Sequence, residues 1–173
     1  MIIKAKNFTL RPPKKSDAKS YYENKNDPII EKSFYHFRYP YSLEKAKKYL
    51  KKIISENKTK KGRSKDIFII EVGGKAVGEI GLEEILPELR AKLFYWIGKD
   101  YRKKGIVTEA VKLIAKHGFE KHKLRRIYAW GRTYNKASAR VLEKAGFKLE
   151  GIMKKNFLKD GKYSDDFIYA KVR

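Results

Sequence analysis

The sequence predicts an α+β fold: one domain over residues 1–173, a central, mainly antiparallel twisted sheet of about seven strands with about four helices. Three observations lead there. Apolar runs at Asp66–Val72 and Lys75–Leu82 flank Gly73-Gly74, a pair that accepts the positive φ of a tight hairpin turn. Two further runs, Lys148–Phe157 and Tyr163–Val172, close about Lys159-Asp160-Gly161 in the same way. Between them Val107, Ala110, Val111, Ile114, Ala115, Gly118 and Phe119 recur at i, i+3, i+4, i+7, the stripe of a helix lying on a core.

The elements follow in order. Residues 2–11 read as a strand with Phe8 and Leu10 on one face, ended by Pro12-Pro13. Ser16 or Asp17 caps a short helix toward Asn26, which Asp27-Pro28 stops. A loop rich in Tyr, Phe and Pro runs from Phe34 to Tyr41. Ser42 then caps a helix carrying Leu43, Ala46, Leu50, Ile53 and Ile54 at helical spacing. Asn57 to Lys65 is a polar, basic loop before the glycine hairpin. After Pro87, Leu93–Gly98 forms a strand, and the striped helix begins after Gly105. Arg126–Thr133 is a strand and Lys136–Ala145 a helix, with Gly146 at its C′ position. No repeat and no linker interrupt the chain.

Composition narrows the class. The absence of cysteine excludes disulfides, thiolate metal sites and a cysteine-bound acyl group, and gives a cytoplasmic address as the default. No run is apolar enough for a bilayer or a signal peptide, so no membrane partner is expected. Basic residues number 43 against 20 acidic, a net charge of +23 that draws polyanions such as CoA, acidic protein surfaces or RNA. The same lysine richness, with no glutamine and 2 methionines, also fits a surface adapted to heat.

The sharpest local feature runs from Lys99 to Ala110, a strand-to-helix turn. Unpaired amides and the positive end of the dipole at a helix start can hold a diphosphate. Gly105 allows close backbone approach, and Arg102, Lys103 and Lys104 add charge. The segment reads equally as an ordinary basic turn in which Thr108 helps cap the helix. His36, His117 and His122 lack metal-ligand spacing and read as structural or solvent-facing, so no metal is expected.

From these residues a resemblance emerges. Arg102-x-x-Gly105-x-Val107 resembles the Q/R-x-x-G-x-G/A acyl-CoA signature of the GNAT superfamily of N-acetyltransferases, with Val107 where a small residue is usual. Leu93-Phe94-Tyr95-Trp96-Ile97-Gly98 resembles the strand preceding that turn, and Val107-Thr108-Glu109-Ala110 the opening of its helix. Asn135-Lys136-Ala137-Ser138, followed by Glu143-Lys144-Ala145-Gly146-Phe147, resembles a second block, especially as found in RimJ/RimL-type ribosomal-protein N-terminal acetyltransferases. Leu149-Glu150-Gly151 and Asp160-Gly161-Lys162-Tyr163-Ser164-Asp165-Asp166 resemble that group's tail; Leu10-Arg11-Pro12 and Asn26-Asp27-Pro28 fit its front.

The resemblance implies a GNAT-like sheet and acetyl-CoA as cosubstrate. It implies amides from Arg102 through Lys103, Lys104, Gly105, Ile106 and Val107 on the diphosphate, with Thr108 nearby. Asn135 would hold the pantetheine arm where two strands splay, and Trp96 and Ile97 lie on the strand whose amides would polarise the thioester carbonyl. Ser138 would protonate the departing thiolate, and Leu142 stands where many relatives place a tyrosine acid. Asn135 also reads as a plain N-cap and Ser138 as an ordinary first-turn serine. For a base the candidates are Glu79, Asp165 and Asp166, each of which also reads as a surface carboxylate. The implied acceptor is a protein N-terminus, as in ribosomal proteins. The alternatives are a polyamine or aminoglycoside received by Glu79, Glu83, Glu84 and Glu88, or RNA or ribosome binding without turnover through the basic Lys58–Arg63 run. Monomer and homodimer both remain open.

Overall fold

The computed structural model describes residues 1–34, 37–58 and 65–173. One mixed sheet of eight strands runs through it: β1 (Ile3–Lys4), β2 (Thr9–Arg11), β3 (Lys65–Val72), β4 (Lys75–Leu86), β5 (Arg90–Ile97), β6 (Arg126–Arg132), β7 (Lys148–Lys159) and β8 (Lys162–Val172). Their order is β1-β2-β3-β4-β5-β6-β8-β7, and every adjacent pair is antiparallel except β5 with β6. Five helices complete it: α1 (Ala18–Lys25), α2 (Pro28–Ser33), α3 (Leu43–Lys58), α4 (Ile106–Lys121) and α5 (Lys136–Lys144). No helix among the described residues is long and apolar enough to cross a membrane.

The α+β class with a mainly antiparallel sheet holds, with one strand and one helix more than expected. The first expected strand is two, because the chain turns between them where Ala5 N–H donates to Phe8 C=O at 3.0 Å. The α1 helix ends at Lys25, ahead of Asp27-Pro28 as expected, and the same pair starts a further helix. Asp27 caps α2 by accepting from Ile29 N–H at 2.7 Å, and Pro28 occupies the first helical position, where its missing N–H costs nothing. Ser42 caps α3 as expected, accepting from Lys45 N–H at 3.2 Å. That helix continues to Lys58, and the rest of the expected basic loop, like His36, lies outside the described residues.

Helices cover both faces of the sheet, so β3 reads as an unbroken apolar run rather than an alternation. Ile67 and Ile69 face α1, α2 and α3 with Tyr21, Ile30, Leu50, Ile53 and Trp96. Phe68 and Ile70 face α4 and α5 with Ile80, Leu82, Leu93, Ala110, Ile114 and Leu142. Val107 and Phe119, expected inside the α4 stripe, are half-buried at its rim. The front of the chain is tied down by Arg11, 4 % exposed, whose guanidinium donates to both carboxylate oxygens of Asp17 at 2.9 and 2.6 Å and to Glu71.

Strands β4 and β5 approach too closely for a side chain at Gly78. A Cβ there would lie 2.6 Å from the carbonyl oxygen of Trp96, which is backbone and cannot swing away. Gly78→Ala should therefore destabilise the fold by about 1–3 kcal/mol, the usual cost of overpacking. A urea melt reads this as a lower midpoint, and an unchanged midpoint would show that the two strands can part without cost.

Candidate active site

The parallel pair β5 and β6 is joined only at Arg90–Arg126, Ala91–Ile127 and Lys92–Tyr128. Beyond Lys92 and Tyr128 the ladder stops, although β4 accompanies β5 as far as Ile97 and β8 accompanies β6 as far as Arg132. The strands diverge into a gap whose facing edges carry backbone N–H and C=O groups without a ladder partner. Such groups call for hydrogen bonds from elsewhere, and a ligand rich in amides supplies them.

At the mouth of the gap a basic turn leads into α4. Gly105 is its N-cap, in the left-handed region at φ 78°, and a Cβ placed on it would meet nothing within 4 Å. Lys103 is left-handed too, at φ 60°. The first helical bond runs from Glu109 N–H to Gly105 C=O at 3.1 Å, so the amides of Ile106, Val107 and Thr108 stand ahead of it without intrahelical acceptors. Gly105, Lys103 and Lys104 are exposed, and the positive end of the helix points outward past them. This cradle fits a diphosphate. Val107 offers its amide despite its branched side chain, which turns to the core edge.

Arg102 behaves differently from its two neighbours. Its guanidinium donates to Asp27 Oδ2 at 2.6 Å and to Ile97 C=O at 3.3 and 3.4 Å. It locks the turn to α2 and to the end of β5, so the exposed charge at the mouth belongs to Lys103 and Lys104.

Beyond β6, Asn135 caps α5, its Oδ1 accepting from Ser138 N–H at 3.1 Å. That places Ser138 in the first turn, where its Oγ meets the hydroxyl of Tyr95 on β5 at 2.7 Å; Tyr95 OH also donates to Ser138 C=O at 3.2 Å. The pair bridges the two sides of the gap. Burial pushes the Tyr95 hydroxyl well up, against the opposing hydrogen bond from Ser138, so it stays protonated at neutral pH. Sequence reasoning did not single out Tyr95; its place one residue before Trp96 on a strand feeding the turn was the available signal.

Glu79 lies on the opposite face of the sheet, beside its cross-strand partner Trp96. Its side chain is 1 % exposed and accepts from Tyr21 OH, Tyr49 OH and Trp96 Nε1 (3.1 Å for the last). Lys25 Nζ stands 4.0 Å away, donates to Tyr21 OH at 2.7 Å, and lies 4.9–5.7 Å from the ring centres of Tyr21, Tyr41, Tyr49, Phe37 and Trp96. Burial lowers the Lys25 ammonium's pKa while the Glu79 charge opposes that; burial and the same charge raise Tyr41 to about 12. Asp165 is held by Lys154 Nζ and Lys155 N–H, both at 2.9 Å. Asp166, 1 % exposed, sits between Arg132 at 2.7 Å and Asn156 Nδ2 at 2.8 Å.

A strand-to-helix anion cradle at the mouth of two parting parallel strands suits a cosubstrate that joins a diphosphate to an extended, amide-bearing arm. The chain belongs to the GNAT acetyltransferase family: the model of the acetyltransferase (GNAT) domain matches residues 7–148. By family it is a GNAT-type N-acetyltransferase. It is 39 % identical over 98 residues to the probable N-acetyltransferase YjcK of Bacillus subtilis, a match covering 56 % of this chain and 54 % of that protein. It is 26 % identical over 160 residues to the spermidine N(1)-acetyltransferase of Escherichia coli, covering 92 % and 82 %. Among solved structures it is similar to RimL, the ribosomal L7/L12 α-N-protein acetyltransferase in complex with coenzyme A, with a TM-score of 0.87 and 23 % identity over 99 % of this chain and 98 % of that one.

Gly105→Glu should abolish the cradle, placing a carboxylate where a diphosphate would rest. Loss of two charge-assisted hydrogen bonds at about 1.5–3 kcal/mol each weakens CoA binding on the order of 10²-fold or more. Gly105→Ala, which adds only left-handed strain, is the control. Calorimetric titration with CoA beside thermal melts separates the two, and unchanged affinity in a folded Glu variant would remove the diphosphate from this turn.

Proposed function

We propose that the chain acetylates the α-amino group at a protein N-terminus, by direct attack of the amine on acetyl-CoA bound in the β5–β6 gap. The observation that carries this choice of acceptor is the state of the carboxylates. A polyamine needs free negative charge, and the four glutamates that would supply it do not line the gap. Glu79 is saturated by Lys25, Tyr21, Tyr49 and Trp96. Glu83 and Glu84 pair with Lys92 at 3.0 and 3.6 Å, at the closed end of the parallel pair. Glu88 lies in the turn beside His122, its N–H donating to His122 C=O at 3.0 Å. With a net charge of +23, the protein repels a second polycation. An α-amino group carries one charge and, with a pKa near 8, gives up its proton to water readily.

In this reading the amides of Ile106, Val107 and Thr108, with Lys103 and Lys104, hold the diphosphate. The open edge of β5 and Asn135 hold the pantetheine arm. Bound acetyl-CoA supplies the thioester carbon; the C–N bond forms as the C–S bond breaks, and the amine's proton passes to solvent. Ser138 gives its proton to the departing sulfur and recovers one from solvent, while the Tyr95 hydroxyl holds Ser138 in place. Glu79 serves as the anchor of the Tyr21–Tyr49–Trp96 wall, not as a base, because donors already surround both its oxygens.

Acetyl transfer to a peptide with a free N-terminus should be detected by mass spectrometry, and the same assay with spermidine should give a kcat/KM at least about tenfold lower. Faster acetylation of spermidine would overturn the acceptor. Ser138→Ala should lower kcat by roughly 10²–10⁴-fold with little change in CoA affinity. A kcat within about twofold of the parent, with chemistry rate-limiting, would return Ser138 to a capping role. Acetyl-CoA alone should leave no chase-competent acetyl group on the protein.

A further inference from the structure

Away from the gap, two histidines and an aspartate meet where the end of α4 rests on the start of β3. His117 is 7 % exposed on the sheet-facing side of α4, and His122 is the residue that follows the helix. His117 Nε2 lies 2.7 Å from Asp66 Oδ2, and His122 Nε2 lies 3.1 Å from the same oxygen. The two rings meet edge to face with centres 5.6 Å apart, and one donor atom from each of the three residues falls within 4.8 Å of the others. Lys121 Nζ also approaches Asp66 Oδ2, at 3.3 Å.

Three nitrogens thus converge on one carboxylate oxygen that offers two lone-pair sites. The two imidazole side chains are only 5 % and 13 % exposed, so bulk water does little to satisfy them. A cation at the point of convergence resolves the crowding, because both Nε2 atoms and the oxygen then give lone pairs to it. In a tetrahedral site with metal–ligand distances near 2.0–2.1 Å, neighbouring donor atoms stand about 3.3 Å apart. The observed 2.7 and 3.1 Å need widening by only a few tenths of an ångström. Imidazole donors exclude the hard cations Mg²⁺ and Ca²⁺ and suit Zn²⁺ and its neighbours. Lys121, whose side chain is 46 % exposed, is free to turn into solvent once a cation supplies the positive charge.

We infer that Asp66, His117 and His122 form a binding site for a zinc-class divalent cation, completed by solvent, that pins the C-terminal end of α4 to β3. The site stands apart from acetyl transfer: His117 lies 11 residues along α4 from Ile106, about 17 Å at 1.5 Å per residue. Its role is structural, and it stands whatever the acceptor proves to be.

The test uses the full chain without a polyhistidine tag, stripped with a chelator and titrated calorimetrically with Zn²⁺. One ion should bind per chain, and the melting temperature should rise with Zn²⁺ but not with Mg²⁺. Co²⁺ should show the visible bands of a four-coordinate site. His122→Ala, at the partly exposed position, should weaken Zn²⁺ binding by more than about 10-fold and remove the Co²⁺ bands without unfolding the stripped protein. Lys121→Ala should bind at least as tightly as the parent, since a competing charge is gone. No saturable binding, binding indifferent to His122→Ala, or weaker binding in Lys121→Ala would overturn the assignment and leave a plain hydrogen-bonded cluster.

Discussion

The parting of β5 and β6 after three paired residues is the constraint on which the rest of the site depends. A parallel pair needs a crossover, and α4 provides it, returning the chain from the end of β5 to the start of β6. The crossover fixes the closed end of the pair at Arg90–Lys92 and leaves the open end beside the first turn of α4. One piece of topology thereby sets the unpaired strand edges next to the unpaired helix amides. Arg102 secures the arrangement by spanning the turn, the end of β5 and the N-cap of α2.

Strand alternation then sorts the chemistry between two faces. Tyr95 and Trp96 are consecutive, so their side chains point to opposite sides of the sheet. Tyr95 crosses to Ser138 on the α4–α5 face, whereas Trp96 joins Glu79, Tyr21 and Tyr49 on the α1–α3 face. The Glu79 oxygens already accept from Tyr21, Tyr49 and Trp96, with Lys25 Nζ 4.0 Å away, so the wall of aromatic rings encloses them. The hydroxyl pair of Ser138 and Tyr95 bridges the gap on the other face.

Charge operates on a longer scale than these contacts. The net +23 favours approach of an anionic cosubstrate from any direction, but it does not say which cations meet it. Of the three adjacent basic residues in the turn, Arg102 is consumed by Asp27, and Lys103 and Lys104 remain at the surface. The paired carboxylates tell the same story in reverse, since Glu79, Glu83 and Glu84 are each neutralised by a lysine from another element.

Much of this was legible in the chain itself. Gly73-Gly74 and Asp160-Gly161 marked their hairpins because few other residues accept positive φ at those places, and the α4 stripe marked its helix because burial selects a 3.6-residue period. Gly105 and Asn135 marked the starts of α4 and α5 because a helix start has local rules for its backbone. Asp27-Pro28 marked the end of α1 in the same local terms, but that it also begins α2 rests on the capping bond from Ile29 N–H to Asp27. What the tertiary structure alone decided are the partners distant in sequence. Tyr95 and Ser138, Arg102 and Asp27, Glu79 and Lys25, and Asp66 with His117 and His122 are 43, 75, 54 and 51 to 56 residues apart. No periodicity links such pairs, because their distance is set by how strands register and helices dock, and those are properties of the whole packed chain.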